Sequence, residues 1–180
     1  MNDRIYIRGA DNLRKPERVN RLEVERVVDL CLNGNNFKSI LDIGIGSGLF
    51  GEAFSKKGIK VSGIDLNSEM IEAAKEYLPD GDLVIAQAED IPFPDKSFDA
   101  SFFGLVLHEV SDYKKALSEA FRVSGSFTFI LEWQYKAGEF GPPLEHRLKP
   151  AFIEELAMSS GYREIRMIEL DILVLYILFK

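Results

Sequence analysis

The sequence contains very little cysteine and no long apolar run. Cys31 is the single cysteine of the 180 residues, which excludes an intramolecular disulfide and a cysteine-rich metal cluster. The longest strongly apolar run, Ile172 to Phe179, is too short to span a bilayer. The N-terminus leads into charged sequence without an apolar signal region. These absences predict a cytoplasmic protein with no metal site and no membrane span.

Basic charge is also in short supply. Lys and Arg together number 22 against 29 Asp and Glu, for a net charge of -7. This balance disfavours a protein that tracks nucleic-acid phosphates, because such proteins are usually basic. The hydrophobic share of 46% is ordinary, and the length fits a single domain over residues 1–180. Nothing in the composition indicates an oligomeric state.

Two regions of the chain differ in pattern. Residues 1–38 are predicted to form an N-terminal helical segment, with a helix over Leu22–Leu32 that ends at Asn33 and Gly34. Residues 39–180 form the predicted core, in which apolar strands alternate with helices. The strands are predicted at Ile40–Ile43, Ile59–Ile64, Asp82–Ala86, Phe98–Phe103, Ser126–Glu132, Tyr162–Ile168 and Ile172–Phe179. The helices between them are predicted at Leu49–Lys57, Asn67–Leu78, Asp112–Arg122 and Pro150–Ser159.

The alternation of strands and helices predicts an α/β fold. Right-handed crossovers give a mostly parallel sheet with helices on both faces. The last two strands meet at 169–171 with no helix between them, so they are predicted to be antiparallel. The final strand is so apolar that it is predicted to lie inside the sheet rather than at its edge.

A glycine-rich loop follows the first strand. Residues 41–48 read Leu-Asp-Ile-Gly-Ile-Gly-Ser-Gly, and such a loop lets the backbone approach a ligand at the carboxyl end of the sheet. Leu49 stands where a dinucleotide fingerprint has its third glycine. Asp65 ends the second strand, 19 residues after Gly46, where a carboxylate can accept both ribose hydroxyls. The alternative is a glycine turn that only lets the helix pack, with Asp65 as a helix N-cap.

Together with the stretch Gln-Ala-Glu-Asp-Ile-Pro-Phe-Pro-Asp-Lys-Ser-Phe-Asp over 87–99, these motifs resemble the class I S-adenosylmethionine-dependent methyltransferases. The likeness is to the branch similar to ubiquinone/menaquinone-biosynthesis methyltransferases, and its specific motifs run from Ser39 to Glu132. It implies a Rossmann-like, doubly wound sheet of seven strands with an antiparallel last strand. It also implies S-adenosylmethionine as cofactor and in-line transfer of a methyl group to an acceptor. A small-molecule acceptor is expected, because 180 residues leave room for only a small substrate cap.

The resemblance implies which residues bind each part of the cofactor. The methionine part is assigned to Asp42, which would reach the ammonium, to Gly44 and Gly46, and to the backbone carbonyl of Phe103. The adenosine part is assigned to Asp65 for the ribose, to Leu66 and Met70 against the adenine, and to Gln87 and Ala88 at its edge. Relatives often have Asp where Gln87 stands, and its amide oxygen can still accept from the adenine amino group. The stretch 122–126 is interpreted as a shortened turn before the fifth strand.

No catalytic residue is assigned, because a base is needed only if the nucleophile must lose a proton. The candidates on the acceptor side are His108, Trp133 and Tyr135. His108 is suited to proton transfer near neutral pH, or it is a structural histidine. Trp133 and Tyr135 either wall an apolar acceptor or close the core.

Two further features have open interpretations. The loop 138–148 either acts as a lid or is a plain connection, and Arg147 within it either pairs with an acidic substrate or lies at the surface. A basic cluster near the N-terminus either closes over the cofactor carboxylate or forms a solvated helix face: Arg14, Lys15, Arg18 and Arg21. Two other functions also stay open, namely a regulatory module that binds the cofactor without turnover, and a methyltransferase acting on RNA or protein.

Overall fold

The computed structural model describes residues 9–180, apart from the side chain of Asp11. Residues 1–8 of the predicted N-terminal segment lie outside this range. The strands are β1 Ser39–Ile43, β2 Lys60–Asp65, β3 Asp82–Ile85, β4 Phe98–Gly104, β5 Ser124–Trp133, β6 Glu164–Glu169 and β7 Leu173–Phe179. The helices are α1 Pro16–Arg21, α2 Val24–Leu32, α3 Leu49–Lys56, α4 Ser68–Lys75, α5 Tyr113–Val123 and α6 Pro150–Ser159. Short 3-10 turns occupy Ala10–Arg14, Leu107–Glu109 and Leu144–His146.

The seven strands form one sheet in the order β3-β2-β1-β4-β5-β7-β6. The first five strands pair in parallel, and β7 runs antiparallel to both β5 and β6. The predicted fold is therefore confirmed, including the inner position of the last strand. Residues 173–178 of β7 are all buried, whereas most of the edge strand β6 is exposed. The order of the strands reverses at β1, and ligands bind at such a switch point in open α/β sheets.

Helices cover both faces of the sheet. Adjacent residues of a strand point to opposite faces, so Phe102 and Phe103 of β4 enter different cores. Phe102 packs with α2 and α3, and its ring lies 5.3 Å from that of Phe54. Phe103 packs with α5 and α6 beside Leu117 and Ile153. Burying each of these side chains contributes roughly 1.5–3 kcal/mol, which holds the strand tips in place under the loops.

Several predicted boundaries were wrong; among them, the helix predicted over Asn67–Leu78 spans only Ser68–Lys75. The helix predicted over Leu22–Leu32 begins at Val24, because Glu23 adopts a left-handed conformation with φ of 50° and separates it from α1. The predicted turn at 122–126 does not exist. The helix α5 continues to Val123, and Ser124 passes directly into β5 with φ -93° and ψ 147°. No helix within residues 9–180 combines the length and apolarity that crossing a bilayer requires.

Candidate functional site

The loop between β1 and α3 depends on glycine for its shape. Gly44, Gly46 and Gly48 all have positive φ, at 71°, 53° and 75°. A Cβ atom on Gly44 would lie 2.5 Å from the side chain of Val106, and one on Gly46 would lie 3.1 Å from Leu13. The first two glycines therefore let the loop pass close to the turn after β4 and to the N-terminal segment.

Asp65, at the tip of β2, is bonded to this loop. Its Oδ2 accepts a hydrogen bond from the backbone N–H of Gly46 at 2.9 Å, and its Oδ1 accepts one from that of Asn67 at 2.9 Å. Burial raises the pKa of Asp65, against the lowering effect of these backbone N–H groups. Asn67 is the N-cap of α4, since its side chain accepts from the N–H of Glu69. The alternative that made Asp65 the N-cap was therefore wrong.

A cavity of about 450 Å³ lies at the carboxyl ends of the strands. Seven of the residues predicted to bind the cofactor line it: Gly44, Gly46, Asp65, Leu66, Met70, Gln87 and Ala88. The structure thus brings together the loop after β1, the tip of β2 and the segment after β3. Their individual roles in binding remain predictions.

Two predicted cofactor residues do not line the cavity. Asp42 is 2% exposed and accepts a hydrogen bond from the backbone of Gly51. Burial, with the nearby charge of Asp65, raises the pKa of Asp42 to about 7. Phe103 is fully buried, and the next residue, Gly104, lines the cavity instead.

Sequence reasoning missed two groups of lining residues. One begins at the last residue of β4 and comprises Gly104, Leu105, Val106, Glu109, Val110 and Ser111. The rule that ligands bind at strand ends applies equally to β4, so the signal for this group was available. The other comes from the N-terminal segment and comprises Leu13 and Leu22, for which the charge-dense sequence carried no such signal. Arg18, which one interpretation of the basic cluster placed over the cofactor carboxylate, lines the cavity beside them. The remaining lining residues are neighbours of those predicted: Ser47, Leu49, Phe50, Asn67, Ala86 and Glu89.

The basic cluster is not a solvated helix face, as one interpretation had it. Arg14 donates to the backbone carbonyl of Ser47 at 3.1 Å and to Glu52 at 2.7 Å, and its guanidinium lies 3.2 Å above the ring of Tyr77. Arg21 stacks 3.6 Å from the ring of Phe140. Arg18 lines the cavity, and only Lys15 is exposed.

His108 belongs to a buried pair with Glu132. Its Nδ1 lies 3.0 and 2.9 Å from the two carboxylate oxygens, and its backbone N–H donates to Oε1 at 3.0 Å. Burial lowers the pKa of His108, but the charge and hydrogen bonds of Glu132 outweigh this effect and raise the pKa. Neither His108 nor Trp133 nor Tyr135 lines the cavity. Trp133 is buried and Tyr135 is exposed.

Arg147 holds the loop 138–148 rather than lying at the surface, so the surface interpretation was wrong. The side chain is 7% exposed. Its guanidinium donates to backbone carbonyls of Gln134, Lys136, Phe140 and Pro142. Because these bonds use its nitrogens within the loop, Arg147 is not placed to pair with an acidic substrate. The loop's place as a lid remains a prediction.

Comparison with known proteins gives concordant matches. A family model described as a methyltransferase domain matches residues 41–127. A demethylmenaquinone methyltransferase of Thermotoga maritima is 35% identical over 101 residues, covering 55% of this chain and 44% of that protein. A malonyl-[acyl-carrier protein] O-methyltransferase of Yersinia pestis is 31% identical over 126 residues, covering 70% and 47%. The matched part of the chain thus spans about half the length of these curated relatives.

A solved structure matches over nearly the whole chain. It is a SAM-dependent methyltransferase from Aquifex aeolicus, with a TM-score of 0.82 and 25% sequence identity. The match covers 94% of this chain and 96% of that one. The resemblance carried by the motifs therefore extends to the complete arrangement of the sheet and its helices.

Proposed function

Because this chain belongs to the class I S-adenosylmethionine-dependent methyltransferases, in the ubiquinone/menaquinone-biosynthesis branch, we propose that it transfers a methyl group to a small-molecule acceptor. The observation that carries the proposal is the meeting of the glycine loop and Asp65 at one cavity. S-adenosylmethionine is the cofactor, and when bound it supplies a methyl group activated by a sulfonium.

The residues around the cavity suit an adenosyl amino acid. Both oxygens of Asp65 accept backbone hydrogen bonds, and lone-pair capacity remains for a ribose hydroxyl. Leu66 is 63% exposed beside the cavity, and an adenine ring against it and Met70 would cover apolar surface. The buried Oγ of Ser47 has no hydrogen-bond partner among residues 9–180, which favours a polar ligand next to the glycine loop.

Binding and orientation are the chain's contribution to the reaction. Gly44 and Gly46 would hold the methionine part, Asp65 the ribose, and Gln87 and Ala88 the adenine edge. Alignment of two reactants in one site can lower a barrier by roughly 7–11 kcal/mol, and a general base is needed only if the acceptor must lose a proton. The protein positions the reactive group, and the cofactor carries the chemistry.

A small acceptor is supported by the size and charge of the site. The cavity of about 450 Å³ lies within the usual range for small-molecule pockets. The net charge of -7 disfavours long contacts with nucleic-acid phosphates. The relatives named for menaquinone and malonyl-carrier substrates are consistent with small or carrier-linked acceptors.

Calorimetric titration with S-adenosylhomocysteine tests the proposal. Asp65→Ala should weaken binding by about tenfold or more, since hydrogen bonds to a charged group contribute ~1.5–3 kcal/mol. Asp99→Ala is the matched control. The side chain of Asp99 also accepts hydrogen bonds from two backbone N–H groups, those of Lys38 and Ser39. These bonds lie at the start of β1, at the end of the sheet opposite the cavity. Equal affinity of parent and Asp65→Ala would refute the ribose assignment, and a parent that does not bind would refute the proposed function.

A binding module without turnover is the second candidate. His108, Trp133 and Tyr135 were the candidates for contact with an acceptor, and none of them lines the cavity. This position favours a protein that binds the cofactor without turnover. A screen of acceptors with radiolabelled S-adenosylmethionine distinguishes the two functions. Sustained turnover of any acceptor excludes the silent module.

A further inference from the structure

The turn after β4 forms one wall of the cavity. Val106, Glu109 and Val110 line it, while Leu107 and His108, between them, are buried in the protein. Leu105 enters the turn with φ of 63°, a left-handed conformation that is rare for a leucine and is maintained only where the surroundings enforce it. Because the side chains of Val106, Glu109 and Val110 face the cavity, the buried side chains of the turn must hold its conformation.

The buried pair of His108 and Glu132 holds this turn against β5. The two side chains are 5% and 1% exposed. Glu132, near the end of β5, accepts hydrogen bonds from the ring and the backbone N–H of His108, and from the backbone N–H of Trp133 at 3.2 Å. Removing one member of a buried charge pair leaves the other uncompensated, which is strongly destabilising. The pair thus ties the turn to a central strand.

The other ring nitrogen of His108 faces the cavity wall. Nε2 lies 3.8 Å from Oε1 of Glu109, whose side chain lines the cavity. The charged groups acting on the ring are Glu132 on β5, Glu109 on the turn and Arg147 on the loop after β5. Burial, together with the nearby charge of Glu132, raises the pKa of the Tyr176 phenol on β7 to about 12, so this phenol stays neutral. A doubly protonated His108 therefore has one N–H toward each glutamate.

We propose that the buried pair of His108 and Glu132 positions the side chain of Glu109 in the acceptor site. The carboxylate of Glu109 then accepts a hydrogen bond from a hydroxyl or amine of the methyl acceptor. This inference rests on the proposed methyl transfer and deepens it. Val106 and Val110, beside Glu109, suit an acceptor with an apolar body. Glu89 and Arg18 also line the cavity, but the carboxylate of Glu89 accepts hydrogen bonds from the backbone N–H groups of Ser111 and Asp112. The carboxylate of Glu109 itself disfavours an acceptor whose reacting group is a carboxylate.

The test compares Glu132→Gln and Glu109→Gln with the parent. The acceptor probes are a diphenol (catechol), an amine (histamine) and a dicarboxylate (malonate), each with radiolabelled S-adenosylmethionine. We expect turnover of the diphenol or the amine, and an increase in its KM of about tenfold or more in both variants. The affinity for S-adenosylhomocysteine should stay within about twofold of the parent. Glu155→Gln, an exposed glutamate on α6, is the control and should change neither value.

A second readout tests whether both glutamates act on the ring of His108, while the change in KM at unchanged S-adenosylhomocysteine affinity separates positioning from a merely structural role. The ring protons of His108, followed by NMR, should titrate at lower pH in Glu132→Gln and in Glu109→Gln than in the parent, because each substitution removes a negative charge near the ring. Glu109→Gln keeps this test available if Glu132→Gln does not fold.

Three results would overturn the proposal. They are turnover of malonate alone, an unchanged KM in Glu109→Gln, and a His108 titration that neither substitution moves. A parent that binds S-adenosylhomocysteine but turns over neither the diphenol nor the amine would contradict the acceptor class. A parent that does not bind S-adenosylhomocysteine would refute the proposed function itself.

Discussion

At the residue scale, Gly44 shows how little space separates the loop after β1 from the turn after β4. A Cβ atom there would meet Val106 at 2.5 Å, on a backbone with φ of 71°. We predict that Gly44→Ala lowers the affinity for S-adenosylhomocysteine by about tenfold or more, because the loop or the turn must move. Calorimetry measures the loss.

Gly34→Ala is the matched control for this substitution. Gly34 has φ of 75°, but a Cβ atom there would have nothing within 4 Å. The control carries the same left-handed strain of roughly 1–2 kcal/mol without the collision, so its affinity should match that of the parent. An equal loss in both variants would show that backbone strain, and not the approach of Val106, is responsible.

Asp42 should make stability depend on pH. Its pKa rises from 3.8 to about 7 in the folded chain because of burial and the charge of Asp65. A raised folded pKa gives stability that is fully present below 3.8 and is lost as pH rises to about 7. The loss is at most about 4 kcal/mol.

We therefore predict that Asp42→Asn removes this dependence. The free energy of unfolding in urea should fall for the parent as pH rises from 3.8 to about 7, relative to the variant. The difference between the two proteins isolates Asp42 from the other titrating groups. Parallel pH curves for parent and variant would contradict the assignment.

At the residue scale, spacing in the sequence indicated which residues meet at the cavity, while their roles in binding stay predictions. Gly44, Gly46 and Asp65 follow from the order of strand, loop and strand, and they line the cavity. Asp42 and Phe103 stand inside strands; both are buried, and neither lines the cavity. Spacing along the chain does not reveal this burial, because it depends on which strands and helices pack beside each residue.

At the element scale, the loop after β5 depends on one buried arginine. Arg147 donates to four backbone carbonyls of 134–142, and Gly141 allows the loop to contact the ring of Trp133, where a Cβ atom would lie 2.5 Å away. The length of this irregular stretch suggested a lid, and the network shows which bonds hold the loop in its present arrangement. The sequence could not show this, since the four acceptors are carbonyls that every residue has.

Arg147→Ala should loosen this loop. Carbonyls that lose a charged donor are left unsatisfied at a free-energy cost of about 2 kcal/mol or more, which corresponds to a Tm lower by roughly 4–8 °C for a chain of this length. Amide hydrogen exchange should accelerate over 134–146. Arg163→Ala, at an exposed arginine, is the control. Unchanged exchange in the loop of Arg147→Ala would show that other contacts hold it.

The N-terminal elements were the least predictable part of the fold. The helix α1 spans only Pro16–Arg21 and has no buried residue of its own, so no apolar periodicity marks it. Its place depends on the contacts of neighbouring side chains, above all Arg14 with Glu52 and Tyr77. Such contacts join residues far apart in sequence, which a pattern of local spacing does not contain.

At the scale of the whole molecule, the alternation of strands and helices was sufficient to predict the sheet. The inner position of β7 followed from its continuous apolar run, because a strand exposed at an edge would be expected to carry polar residues. The same topology places the tips of β1, β2 and β4 around one cavity. The acceptor wall was not predicted, since it depends on how His108 and Glu132 pair across two strands.

A crystal structure of the chain with S-adenosylhomocysteine would show directly whether the tips of β1 and β2 bind this ligand. We expect ribose hydroxyls within hydrogen-bond distance of Asp65, the adenine against Leu66 and Met70, and the amino-acid part beside Gly44 and Gly46. A ligand bound elsewhere on the protein, or one in this cavity that makes no contact with Asp65, would contradict this expectation.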